Sequence, residues 1–182
     1  MRLPEIITLA ETPGPWIQGG EIFKIVRSVY HHMGRAKIVV IMGSEHDMEF
    51  ASKIKSFLDG EGFTVECEFK ICSAHRNTHK LLQLIQGYEG QPLVYVTVAG
   101  LSDSLSGVVA GNSSQPVIAC PPDLERYGWS KAFSSVFTPK GVPVTCSALP
   151  ENAALAAVRI LALYDEDLKR ELQDYKNRIT GV

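Results

Sequence analysis

Ile38-Val39-Val40-Ile41-Met42, closed by Gly43-Ser44, is where the fold becomes legible. Five apolar residues with no polar break mark a strand buried on both faces, because a half-exposed strand would alternate. Just downstream, residues 47–58 set Met48, Ala51, Ile54 and Leu58 along one helical face. Phe63, Val65, Cys67, Phe69 and Ile71 then alternate with Thr64, Glu66, Glu68 and Lys70. That pattern has one wetter face, as an edge strand would. A helix over 77–88 is apolar at Leu81, Leu82, Leu84, Ile85 and Tyr88, with Asn77 or Thr78 as its cap.

The cycle continues with strands near 93–98, 116–120 and 142–146, separated by segments long enough for helices. An apolar helix over about 151–164 follows, then an amphipathic one over about 165–179. The latter opens with Asp165, Glu166 and Asp167, acids suited to the positive end of a helix dipole. Such alternation predicts an α/β fold, a parallel sheet covered on both sides and wound right-handedly. A three-layer, flavodoxin-like parallel five-stranded sheet of order 2-1-3-4-5 puts the alternating strand at an edge and the apolar one inside.

Residues 1–35 differ from the rest. Pro4, Pro13, Gly14, Pro15, Gly19 and Gly20 leave room for one helix, near Glu21–Met33. Arg2, Lys24, Arg27 and Arg35 stand against Glu5, Glu11 and Glu21, and three acids argue against a transit peptide. This stretch reads as an N-terminal extension and residues 36–182 as a single α/β domain that includes the C-terminal helices. The whole chain has 182 residues, with 18 Lys and Arg against 20 Asp and Glu. That balance provides no basic field for nucleic acid or an anionic membrane. The longest uncharged run, Ser104 to Pro122, is interrupted by Asn112, Gln115, Gly and Pro and is no membrane span. Cys67, Cys72, Cys120 and Cys146 form no CxxC pair and share no metal-ligand spacing with histidine. With no secretory signal read, they are expected to be reduced, mostly buried thiols of a cytoplasmic protein.

In such sheets ligands bind beyond the carboxyl ends of the strands, where the order reverses. The loop after the first strand is Gly43-Ser44-Glu45-His46-Asp47. Its glycine allows close backbone approach, and the free N–H groups of the next helix favour an anion such as phosphate. Equally, Gly-Ser can simply turn the chain and Asp47 cap a helix. The second loop is Ser73-Ala74-His75-Arg76. An imidazole there can transfer protons near neutral pH, and Arg76 can hold a phosphate or carboxylate through two parallel hydrogen bonds. The third, Ala99-Gly100-Leu101-Ser102-Asp103-Ser104-Leu105-Ser106-Gly107, has small residues that leave room for a ligand and hydroxyls to bond it. Cys120-Pro121-Pro122 then ends the fourth strand rigidly. His31, His32 and His79 fall in the extension or on a helix surface.

Taken together, these motifs resemble the phosphoribosylaminoimidazole carboxylases of purine biosynthesis. The likeness rests on Met42-Gly43-Ser44 with Asp47, on Ser73-Ala74-His75-Arg76, and on Val98-Ala99-Gly100 with Leu105 and Gly107. It runs on through Pro116–Pro122, Gly141-Val142-Pro143 and Asn152–Ala157, covering about residues 37–165 in order. The family has two branches, a direct carboxylase that uses CO2 and a mutase that moves a carboxyl group from nitrogen to ring carbon. The mutase branch usually has a second histidine where Ser104 stands and a loop richer in Gly and Ala. Ser104, the third loop and the Cys-Pro-Pro exit resemble the direct carboxylase, whereas Arg76 leans towards the mutase.

The resemblance implies His75 as the catalytic residue. It implies a ribonucleotide substrate and CO2 held by Gly43, Ser44, Asp47, Ser73, Ala74, Arg76, Ala99, Gly100, Ser102, Asp103 and Leu105. It further implies no cofactor, no metal, and a homo-octamer with active sites at subunit junctions. The apolar helix Ala153–Tyr164, charged only at Arg159, accords with burial on more than one side. His46, Leu101 and Asp103 depart from the family pattern, which sets a diverged, non-catalytic nucleotide-binding relative beside the two enzymes.

Overall fold

A computed structural model describes residues 36–181. The expected extension, its helix near 21–33 and His31 and His32 lie outside the described residues. Strand β1, Lys37–Met42, is followed by a 3-10 turn, Glu45–Asp47, and helix α1, Met48–Glu61. Next come β2 (Glu66–Ile71), α2 (Thr78–Gly87), β3 (Leu93–Val98), α3 (Leu105–Gly111) and β4 (Val117–Ala119). A strap of short pieces joins β4 to β5: α4 (Leu124–Tyr127), a 3-10 turn (Trp129–Ala132) and α5 (Phe133–Val136). Strand β5 is Thr145–Cys146, and α6 (Pro150–Leu161) and α7 (Glu166–Thr180) complete the chain.

All five strands pair in parallel in the order β2-β1-β3-β4-β5, as the patterning predicts. Central β1 and β3 are buried throughout from Ile38 and Leu93, while edge strand β2 is half-exposed. Period-two alternation divides the core. Ile38, Val40 and Met42 pack with Ile54, Leu58 and Val158 under α1, α6 and α7. On the other face Val39, Ile41 and Tyr95 meet Leu81, Ile85 and Val109 of α2 and α3. Among the described residues no helix is long and apolar enough to cross a membrane.

Three boundaries shift for identifiable reasons. The edge strand begins at Glu66 rather than Phe63, because Gly62, at φ 80°, ends α1 in a left-handed turn. The Phe63 N–H then bonds the Leu58 carbonyl, and its ring closes over the core. β5 shrinks to two residues because Val142 is held in a turn by Pro139 and Pro143 has no N–H to donate. Met48, expected on the buried face of α1, is 38% exposed, since it is the first residue after the 3-10 turn. Cys72 and Cys120 are buried and Cys67 half-buried, but Cys146 is exposed on the short β5. Burial pushes the thiol of Cys67 up to about 11 and that of Cys120 up to about 12, so neither is a thiolate at neutral pH.

Candidate active site

Sheet register brings the first three loops to one rim. Met42 pairs with Ile71 on one side and Val98 on the other, so all three strands end level. Two ladder bonds extend beyond them: Gly43 N–H donates to the Val98 carbonyl at 2.9 Å, and Cys72 N–H to the Met42 carbonyl at 2.8 Å. Helices α1, α2 and α3 all start on this rim.

Asp47 sits at its centre, 6% exposed. Its Oδ2 accepts from the backbone N–H of Ser44 at 3.0 Å and from the Ser44 hydroxyl at 3.1 Å. Gly100 makes room for it. A Cβ there would lie 3.0 Å from Asp47 Oδ1, whereas one on Gly43 would make only ordinary van der Waals contact, 3.6 Å from Oδ2. The carboxylate thus lies between the first and third loops, and the demand for glycine at Gly100 is steric, without positive φ.

The second loop closes the far side. Arg76 Nη2 donates to the Gly43 carbonyl at 3.1 Å, tying the first two loops together. Among the described residues this uses one of its five side-chain N–H donors. Ser73 Oγ accepts from the Arg76 N–H at 3.2 Å and turns the chain. Asn77 caps α2 by accepting from the Lys80 N–H at 3.2 Å, which fixes the helix immediately behind His75. His75 is exposed, and its Nε2 lies 2.8 Å from Ser104 Oγ of the third loop. The imidazole is therefore exposed at the rim and held from the opposite loop.

Two of the expected site residues, Asp103 and Leu105, have buried side chains. Asp103 turns away from the rim, 6% exposed. Its carboxylate accepts from the Ser106 N–H at 2.9 Å, the Ser106 hydroxyl at 2.8 Å and the Ser135 hydroxyl at 2.7 Å. It is a staple between the start of α3 and the strap, with little capacity left for a ligand. Leu105, 2% exposed, belongs to the core beneath the third loop, because the first turn of α3 buries it against β3. Ala74 and Ala99 are also buried and offer backbone groups only. Ser102 is exposed on the rim.

The strap supplies what the sequence did not announce. Ser134 Oγ accepts from the Asp103 N–H at 3.1 Å and donates to the Lys131 carbonyl at 2.9 Å. Lys131, Ser130 and Tyr127 thereby come to line a cavity of about 250 Å3 with Leu101 and Ser102. No local pattern flags Lys131; it reaches the rim only because the strap folds back about 30 residues in sequence onto the third loop. Among the described residues no three His, Cys, Asp or Glu side chains converge as a metal site.

Comparison with known proteins agrees with this arrangement. A family model described as AIR carboxylase matches residues 37–181. The chain is 41% identical over 140 residues to a phosphoribosylaminoimidazole carboxylase of Archaeoglobus fulgidus, covering 77% of each protein. It is 38% identical over 144 residues to an N5-carboxyaminoimidazole ribonucleotide mutase of Methanocaldococcus jannaschii, covering 78% of this chain and 89% of that one. A crystal structure of Treponema denticola PurE superposes with a TM-score of 0.75 at 34% identity, over 81% of this chain and 93% of the other. The sheet order, the rim of three loops and these likenesses converge on one conclusion: the chain belongs to the AIR carboxylase family.

Proposed function

We propose that this chain carboxylates aminoimidazole ribonucleotide with CO2, giving carboxyaminoimidazole ribonucleotide without ATP, biotin or metal, and that residues 36–182 form its catalytic domain. The pairing of His75 Nε2 with Ser104 Oγ at 2.8 Å carries the reading. A proton-transfer group stands there on an open rim, and the mutase branch usually has a second histidine where this chain has Ser104.

The substrate's aminoimidazole is an enamine, so its ring carbon is already nucleophilic. That carbon attacks CO2: a C–C bond forms and one C–O π pair moves onto oxygen, leaving a carboxylate. The ring carbon still carries its hydrogen. His75 takes this proton, the C–H electron pair restores the aromatic ring, and the exposed imidazole passes the proton to water. Gly43, Ser44, Arg76 and the neighbouring Ser73-Ala74 backbone hold the phosphate, while Asp47 accepts from ribose hydroxyls. Binding so far from the reacting carbon supplies orientation. The Ala99-Gly100 backbone and the Ser102 hydroxyl receive the new carboxylate as its charge develops.

The same reading includes a homo-octamer and a cytoplasmic location. Phe137, 79% exposed and stacked on Phe133, and Trp129, also exposed, support self-association. The four free cysteines accord with a reducing compartment.

The deciding experiment supplies purified aminoimidazole ribonucleotide and bicarbonate with no ATP. Prompt carboxylated product is expected, with a loss of roughly 10²- to 10⁴-fold in His75→Asn. Turnover of the N-carboxylated substrate alone would assign the mutase, and nucleotide binding without turnover of either would assign a non-catalytic relative.

A further inference from the structure

We propose that Lys131 is a carboxylate-binding residue of this site, its ammonium receiving the CO2-derived group at the edge formed by Leu101 and Ser102. This rests on the carboxylation reading and adds a contact from outside the three rim loops. Three observations converge on it.

The first is position. Lys131 lines the same cavity as Leu101 and Ser102, across from the third loop, and the Ser134 hydroxyl fixes the backbone of both sides. The second is size. A cavity of about 250 Å3 has room for a CO2 or carboxylate. Its Leu101 and Tyr127 walls suit apolar CO2 before reaction, and its lysine suits the anion afterwards. The third is unspent charge. The Lys131 Nζ donates to the Pro122 carbonyl, yet no carboxylate among the described residues lies within ion-pair distance of it. Partial burial pulls its pKa below the ordinary lysine value, while Asp123, Asp47 and Asp103 oppose that from further away. A half-buried ammonium with only a carbonyl for company is complementary to an arriving anion.

The test measures calorimetric affinity for two ligands that differ only in the carboxylate: aminoimidazole ribonucleotide and its carboxylated product. In Lys131→Met, product affinity is expected to fall roughly ten- to hundredfold, the range for a hydrogen bond to a charged group. Affinity for the uncarboxylated nucleotide should stay within about twofold, and Lys131→Arg should restore most of the product affinity. If Lys131→Met fails to fold, Lys131→Gln carries the same comparison. Equal losses for both ligands, or no loss for either, would overturn the assignment while leaving the carboxylation reading intact. Failure of the unsubstituted protein to bind either nucleotide would overturn that reading and this one with it.

Discussion

Asp103→Ala separates a structural staple from a substrate contact. The substitution removes an acceptor that takes hydrogen bonds from the Ser106 N–H, the Ser106 hydroxyl and the Ser135 hydroxyl. Both serines are fully buried, so their hydroxyls cannot turn to water when the carboxylate goes. Hydrogen bonds to charged groups contribute about 1.5–3 kcal/mol each, and an orphaned buried polar group costs about 1–3 kcal/mol. These figures do not add, and releasing a desolvated carboxylate offsets part of the loss. The net expectation is about 3 kcal/mol of destabilisation, near the top of the usual single-substitution range. For a domain of this size that lowers Tm by roughly 6–12 °C. Asp103→Asn keeps one acceptor oxygen and should lose about half as much. The assay is thermal unfolding by circular dichroism, run beside nucleotide calorimetry on the same samples. A variant that melts within about 2 °C of the parent, yet no longer binds nucleotide, would refute the staple and return Asp103 to the ligand.

Gly100→Ala puts a Cβ 3.0 Å from Asp47 Oδ1, so Asp47 must yield a few tenths of an ångström and loosen its hold on Ser44. Nucleotide kcat/KM should fall roughly tenfold with Tm nearly unchanged, since small misplacements at a site cost rate before stability; unaltered kinetics would show that Asp47 has slack. Lys37 foremost, then Tyr88, hold the Glu68 carboxyl down at about 2, against an ordinary 4.5. Its stabilisation is therefore complete above pH 4.5 and disappears as pH falls through about 2. Glu68→Gln should be less stable near neutrality and show a shallower acid loss over that window, read by urea titrations at several pH values. Among the described residues the buried Thr97 Oγ1 has no hydrogen-bond partner. Thr97→Val should thus stabilise by about 1 kcal/mol in equilibrium unfolding, because an unpaired hydroxyl is costly to bury.

Local chemistry made much of this molecule legible in one dimension. The unbroken run Ile38–Met42 and the alternation across Phe63–Ile71 carry their own burial patterns, and those patterns alone order the first strands of the sheet. Gly43-Ser44, His75-Arg76 and Gly100 then fall on one rim because parallel strands ending level must present their following loops together. What periodicity could not say is which way a polar side chain turns at a loop. Asp103 reads as a ligand contact among small residues, and becomes a staple only because Ser135, 32 residues on, meets it in the folded chain. Lys131 is likewise an ordinary surface lysine in sequence, placed against Leu101 and Ser102 by a strap whose one-turn pieces have no pattern long enough to read. Hydrophobic spacing is a property of neighbours along the chain, so the sequence determines the layers. The partners of buried polar groups are chosen across the chain, and only tertiary packing decides them.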